Sequence, residues 1–561
     1  MRGRIIILGA GVMQGPAIRI ARELGLFAAA LDGSAAAPCA GMADLFAQVD
    51  LSDKEGVEAF ARGMQAEPGG LGGIMTAGTD FSASVAWAAE RLGLPGIPYE
   101  TALNASDKGR MRACLKKAGV PSPECATIRA ADLAGGGAGI ELPAPFPLVV
   151  KPVDSMGARG CRMARSMGEL LEAAEGALAH SRSGRAIVEA YVEGPEFSID
   201  AIVRGGEIHA CGIADRHVFF PPYFVEMGHT MPSAAPPDAQ AEVLKAFRAG
   251  VRALGIADPG CAGAAKGDVK MSPSGPVIGE IAARLSGGYM SGWTYPYSSG
   301  AEPIRAAILL AMGRDPGSLE PQRAWHSAER AFISIPGTVK AVIGAAEARA
   351  VPGARDVFVY AAEGKRADFP RNNVSKCGSA VSAAPDREAA VAAAESAARA
   401  VLVALDPADP ETGRFLRGEG AYSGAFPPPA FALGPELEAL LAALPEDEPG
   451  STGLICAEPV PFPEFERSGL RDWAGRGPAE SLAAALRIAG LHTAQAAEPE
   501  AARPAGEFSA GRAESGGNGA KKADNKSARL GRQFWAALAR GGCQGAAYHI
   551  GRLLSRQTGE D

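Results

Sequence analysis

The sequence predicts a multidomain protein of mixed α/β and α+β construction. It opens with a doubly wound parallel sheet and closes with a helical, partly disordered tail. Three observations carry this prediction. The chain has 561 residues, more than a single hydrophobic core organises. Its first hundred residues alternate buried-strand runs with helical patterns. Beyond Asp406 the composition shifts, first to proline-rich and then to Ala/Glu/Gly/Lys-rich sequence.

Composition narrows the function. Hydrophobic residues make up 47% and charged residues 21%, as in a soluble globular protein. The formal charge of −7 argues against a nucleic-acid partner, and no apolar run is long enough to span a bilayer. The start, Met1-Arg2-Gly3-Arg4 and then Ile5 to Leu8, resembles a signal peptide only briefly, because Arg19, Arg22 and Glu23 follow at once. The nine cysteines are dispersed without a C-x-x-C pair, which predicts reduced thiols and a cytoplasmic location. No two of the seven histidines have metal-site spacing.

Taken in order, Ile5 to Leu8 is a buried strand, and Gly9-Ala10-Gly11-Val12-Met13-Gln14-Gly15 is a glycine turn opening a helix. A second strand from Phe27 ends at Asp32, the place where nicotinamide enzymes carry a ribose-binding acid. The glycine spacing is G-x-G-x-x-x-G, one residue too long for that fingerprint. Gly73 to Thr76 is a further parallel strand, followed by a helix from Ser82 to Leu92. Residues 1–103 thus form one doubly wound domain whose strand ends carry Gly11, Gln14 and Asp80. Next, Ser106 is a plausible N-cap for a helix that stops at Gly119-Val120-Pro121, with Lys108 in its first turn, where the helix dipole disfavours a cation.

Pro147 to Pro152 is a strand with Lys151 at its exit, and Ser155-Met156-Gly157-Ala158-Arg159-Gly160 is a Ser/Gly loop whose N–H groups are suited to phosphate. It is not a Walker A loop, since the lysine precedes it and a strand follows. After a helix from Ser166 to Ala179 comes strand, bend, strand from Ala186 to Asp200, with Glu189 and Glu196 on either side of the bend. Finally Pro276 to Ile278 leads into Glu280-Ile281-Ala282-Ala283-Arg284, and Pro273-Ser274-Gly275 reads as a hairpin turn bringing Asp268 toward Glu280. Two such carboxylates suit Mg²⁺, and an arginine suits phosphate oxygens. Read alone, this stretch is equally a surface hairpin with scattered charges.

Taken together, Lys108 before a G-V-P stop, Lys151 before the Ser/Gly loop, the E-x-Y-V-E-G-x-E bend and E-x-x-x-R-x-x-G-G resemble the ATP-grasp superfamily. The likeness runs over residues 1 to about 405, in the order of biotin carboxylase, the carbamoyl-phosphate synthase large chain and the L-amino-acid ligases. It implies a pre-ATP-grasp domain (1–103) that does not bind NAD, an ATP-grasp domain (104–325) and a small α+β lobe (326–410). By the same resemblance Lys108 and Lys151 contact ATP phosphates, and Ser155, Met156, Gly157 and Gly160 belong to a lid. Glu189 and Val192 sit at the adenine bend, and Glu196 matches a ribose-binding acid. Asp268 and Glu280 match Mg²⁺ ligands, and Arg284 and Lys151 match groups at the transferred phosphate. Two departures stand out: Asp268 where Glu is commoner, and Ala282 where Asn is expected, which leaves one or two Mg²⁺ open.

The implied activity is an ADP-forming carboxylate–amine ligase that activates its acid as an acyl-phosphate. Alternatives are a carboxylase or carbamoyl-phosphate-type subunit acting on bicarbonate, and a non-catalytic nucleotide-binding protein. Arg216, His217, Glu226 and His229 are candidates for the substrate side, His229 as a contact rather than a base. Tyr289, Trp293, Tyr295 and Tyr297 are either pocket walls or core. Within the lobe, Phe332 to Gly337, Val357 to Tyr360 and Ala380 to Ala383 read as strands and Asp386 to Ala404 as a helix. Beyond it, residues 411–495 read as short helices and linkers (Pro435 to Leu444 and Pro478 to Leu491 helical), 496–528 as a disordered linker, and 529–561 as a basic amphipathic helix. That helix, carrying Leu530, Phe534, Trp535 and Leu538, is able to touch a membrane surface, a partner or its own core, and is expected to be tethered by the linker rather than built into a core. A homodimer is a further expectation.

Overall fold

The computed structural model describes residues 3–419, 433–447, 455–456, 465, 467–491 and 528–558. The apolar run at the start forms β1 (Arg4–Leu8), parallel to β2 (Phe27–Asp32) on one side and β4 (Leu71–Thr76) on the other. With β3 (Leu45–Gln48) at the far edge, the sheet order is β3-β2-β1-β4. All four residues from Ile5 to Leu8 are fully buried, as a strand covered by helices on both faces requires.

A second sheet follows, from β5 (Cys125–Arg129), β6 (Leu148–Pro152), β7 (Arg162–Ala164) and β8 (Arg185–Ala190), antiparallel in the order β5-β8-β6-β7. The third runs through β9 (Glu196–Arg204), β10 (Glu207–Phe219), β11 (Val225–Met231), β12 (Ala262–Ser272), β13 (Gly275–Ala282) and β14 (His326–Phe332). The lobe contributes β15 (Gly337–Ile343), β16 (Ala354–Val359), β17 (Arg366–Ala367), β18 (Gly378–Ala384) and β19 (Leu402–Leu405). Two of these extend the large sheet, whose order is β13-β12-β9-β10-β11-β14-β18-β16, and the other three form β17-β15-β19.

Several local expectations need correction. Ser106 ends a helix (Tyr99–Ser106), and Asp107 caps the next (Lys108–Lys117), its Oδ1 accepting from the Arg110 N–H at 3.0 Å. Phe332 closes β14, and residues 333–336 carry the chain to β15. The helix expected to reach Ala404 stops at Ala400, where Val401-Leu402-Val403 turns to β-structure and pairs with β15.

The tail departs most. The helix Arg532–Thr558 lies against the lobe with Phe534 and Trp535 fully buried and Leu538 nearly so, in one cluster with Leu402, Leu441 and Leu486. It is not a tethered helix with a free apolar face. The close approach uses glycine: a Cβ on Gly541 would meet the Leu416 side chain at 2.5 Å, and one on Gly545 the same side chain at 2.9 Å. Asp447, within the segment read as linker, accepts from His549 Nε2 at 2.9 Å and so pins the helix to the chain before it. The proline run Phe426 to Pro429 and the linker 496–528, save its last residue, lie outside the described residues.

Phe534→Ala is therefore expected to cost roughly 3–5 kcal/mol of stability. Urea unfolding checks this; a freely tethered helix would leave the midpoint unchanged.

Candidate active site

A cleft of about 980 Å³, counting its mouth, opens between the β5-β8-β6-β7 sheet and the large sheet. Basic and acidic side chains enter it from six strands and one helix. Lys108 is 7% exposed. Its ammonium donates to the Ser155 carbonyl at 2.8 Å and lies 3.2 Å from Glu280. Those contacts explain a cation in the first turn of a helix: it serves the cleft, not the dipole. Lys151 reaches Glu189 at 2.7 Å, and Arg112 holds the other oxygen of that carboxylate at 2.9 Å. Burial alone would raise the Glu189 pKa, but the Arg112 and Lys151 charges outweigh it and hold the group below the usual range. Glu189 lines the cleft as expected, yet both its oxygens are committed to cations.

Val192 presents its carbonyl, which accepts from Lys270 at 3.0 Å, and Lys270 lies 3.9 Å from Glu196. Both Val192 and Glu196 line the cleft. Ser155 and Met156 line it too, while Gly157 and Gly160 turn that loop, with φ of 68° and 66°. The loop bridges the domains: Arg159 Nη2 lies 3.8 Å from Asp80, and the Asn373 N–H donates to the Gly157 carbonyl at 2.9 Å.

Asp268 and Glu280 face each other as direct partners across β12 and β13. Asp268 accepts from Ser198 Oγ at 2.7 Å and lies 3.0 Å from Arg216 Nη1. Burial would raise the pKa of both acids; Arg216 and Lys266 hold Asp268 below the ordinary range, and Lys108 and Lys266 hold Glu280 far below it. Two carboxylates kept ionised at a phosphate-sized cleft fit Mg²⁺, which binds through one or two carboxylates plus phosphates and water. No larger group of three or more His, Cys, Asp or Glu suited to a metal occurs among the described residues.

Arg284 falls outside this set. Its Nη1 donates to the adjacent Leu285 carbonyl at 2.9 Å, its Nε is buried without a partner, and it lines a separate cavity with Thr76 and Ser82. The arginine set among the acids of the cleft is Arg216, which pairs with Glu196, Glu226 and Asp268. Behind it, His229 is 2% exposed and lies 3.7 Å from Glu226 and 3.6 Å from Glu329. Gly288 (φ 60°) crosses directly above, where a Cβ would meet Glu226 Oε1 at 2.8 Å. Of the aromatics, Tyr289 and Trp293 pack on Phe358 as a wall, whereas Tyr295 is core, its hydroxyl accepting from the Asp200 N–H at 2.8 Å.

The first domain offers no comparable site at its glycine turn. Gln14 folds back into that turn: its Oε1 accepts from the Gly11 N–H at 3.1 Å, its amide donates to the Ala77 carbonyl, and a Cβ on Gly9 would meet it at 2.9 Å. Asp32 accepts from the Ala10 N–H at 2.8 Å and the Ser34 N–H at 2.8 Å. The groups that would hold a dinucleotide thus hold the turn itself.

Three site residues escape a reading of the sequence: Arg112, Lys266 and Asp200. Arg112 joins partners 77 and 167 positions away, Glu189 and the Gly279 carbonyl, with no local signal. Asp200 is fully buried and accepts from both the N–H and hydroxyl of Ser286, fixing the turn after Arg284.

Residues 105–288 match the ATP-grasp domain family, and residues 331–406 match the L-amino acid ligase C-terminal domain 2. An uncharacterized protein of Sinorhizobium fredii, y4rH, is 26% identical over 342 residues, 60% of this chain and 69% of that one. Carnosine synthase 1 of Gallus gallus is 28% identical over 334 residues, 56% of this chain but only 35% of that protein. Among solved structures, the L-amino acid ligase of Bacillus licheniformis superposes with a TM-score of 0.61 at 21% identity, covering 72% of this chain and 99% of that one.

Burial pushes the Asp200 carboxyl up to about 6 from an ordinary 3.8, against the lowering effect of its bonds to Ser286. Between those values the folded state binds more protons than the unfolded one, so this group makes stability fall as pH rises through that window and leaves it lower above. The loss is roughly 3 kcal/mol in all. Asp200→Asn should flatten that slope in melting temperature against pH; an unchanged slope would refute the assignment.

Proposed function

Because this chain belongs to the ATP-grasp superfamily, we propose that it is an ADP-forming ligase that joins a small-molecule carboxylate to an amine. The observation that carries the proposal is the cleft: Lys108, Lys151, Arg216 and the Asp268–Glu280 pair converge where a nucleotide triphosphate would lie. Relatives named for ligating L-amino acids and for making carnosine support an amino-acid substrate.

Phosphoryl transfer asks the protein for positioning and charge neutralisation more than for covalent chemistry. Lys151, aimed by Glu189 and Arg112, and Lys108, tied to the lid at Ser155, place ammonium groups on the phosphate chain. Asp268 and Glu280 would hold Mg²⁺, which would supply charge neutralisation for the phosphate oxygens. The substrate carboxylate oxygen attacks the γ-phosphorus, ADP leaves, and an acyl-phosphate results. The amine nitrogen then attacks the acyl carbon, expelling phosphate and losing a proton. Arg216, Glu226 and His229, at the end of the cleft beneath the Gly288 turn, are suited to orient the acid and amine. Arg284 is assigned to the transferred phosphate as part of the same proposal, which requires its guanidinium to turn from Leu285 when substrates bind. The loop from Ser155 to Gly160, resting on Asp80 and Asn373, excludes water from the reacting centre.

We place the reaction in the cytoplasm, where ATP is supplied and dispersed free thiols stay reduced. Among the described residues no helix is long and apolar enough to cross a membrane. A homodimer is part of the same proposal and is read by sedimentation.

Lys151→Ala and Glu280→Ala should each remove nearly all ADP release, a loss of roughly 3–4 kcal/mol of transition-state stabilisation, with the fold intact by circular dichroism. Near-normal turnover by either variant overturns the site. With the true acid and ATP, hydroxylamine should trap a hydroxamate; ATP cleavage that needs bicarbonate and yields none would move the activity to a carboxylase.

A further inference from the structure

On the cleft-facing side of the β12–β13 hairpin, four positions form a square. Asp268 stands opposite Glu280, and two residues away on each strand Lys266 stands opposite Ala282. Residues two apart on a strand share a face, so these four side chains project together. Three are charged, and the fourth is a methyl group. Ala282 brings no charged group of its own opposite Lys266. The Lys266 ammonium contacts Asp268 directly and lies 3.7 Å from Glu280. Lys266 is 9% exposed, so its stem is packed and its head is aimed between the two acids rather than at solvent.

The groups around the pair make this arrangement asymmetric. Glu280 also receives Lys108 at 3.2 Å, and Asp268 also receives Arg216 at 3.0 Å and Ser198 at 2.7 Å. A divalent cation entering with the nucleotide can share Asp268 and Glu280 from the side of the phosphates. A second one would have to lie where the Lys266 ammonium already sits, with both acids already neutralised by bases.

We propose that Lys266 is a built-in second cation, so that the cleft takes a single divalent metal ion with its nucleotide and the lysine ammonium supplies the remaining positive charge. This rests on the reading of the cleft as a metal-nucleotide site and specifies its composition. The ammonium lies between the two acids and would supply positive charge to a phosphate oxygen held beside them. Unlike a metal ion, it cannot be diluted or chelated away.

The test is a count. Mn²⁺ bound per chain, read by electron paramagnetic resonance with the β,γ-imido analogue of ATP, should saturate at one in the wild type. Lys266→Ala should open the second position and saturate at two. Lys266→Met, which keeps the stem but not the charge, should weaken analogue binding roughly 10- to 100-fold at low Mn²⁺. Two Mn²⁺ in the wild type overturns the proposal, whatever the variants do, as does a count that stays at one in folded Lys266→Ala. Failure of the wild type to bind the analogue at all would instead overturn the reading of the cleft itself.

Discussion

The architecture rests on one electrostatic constraint. A site for a polyphosphate must gather several cations, and those cations must be kept together when no phosphate is present. Here each is matched in advance: Lys151 with Glu189, Lys108 with Glu280, Arg216 with Glu196 and Glu226, and Lys266 with Asp268. Pairing in a buried cleft lets the charges survive burial, which an isolated ammonium would not. It also presets their positions, so an incoming anion finds groups already ordered and meets little reorganisation. The acids come from different strands, so the sheets must hold their register for the cleft to exist.

The first domain serves the same end. Its β4 exit loop docks on the turn after Arg284: the Gly78 N–H donates to the Leu285 carbonyl at 3.1 Å, and Cβ atoms built on Gly78 and Gly287 would lie 3.1–3.2 Å from the opposing backbone. A side chain at either position would force the opposing backbone to shift. Asp200 holds the turn from beneath through Ser286. A dinucleotide-type fold thus serves as a buttress, with its own glycine turn plugged by Gln14 and its surface supporting the turn that follows the β12–β13 hairpin.

Much of this was legible in the sequence because it is local. Strand exits, glycine loops and a short hairpin put Lys108, Lys151, Ser155, Glu196, Asp268 and Glu280 within reach of one another, and the structure gathers them in one cleft. Arg112 was not legible, since its contacts span most of the ATP-grasp domain. Lys266 had a signal, two residues from Asp268 on a strand, that points to a shared face. Arg284 was read in the cleft from its place after Glu280, but the chain leaves the sheet at Ala282 and its side chain turns to Leu285. The tail was misread because alanine- and glycine-rich helices carry a weak apolar stripe; close packing against Leu416 replaces bulk.

The buried tail helix also sets an order of events during synthesis. The strand Leu402–Leu405 emerges well over a hundred residues before Phe534 and Trp535, which pack in one cluster with Leu402. At about 5–20 residues per second that interval lasts roughly 10 s. Through it the ATP-grasp domain can already be folded while the lobe beside it presents an apolar face with nothing to cover it. A growing chain in that state is a substrate for holdase chaperones, and a ribosome stalled in the intervening segment would release a protein whose nucleotide cleft is built but whose surface is adhesive.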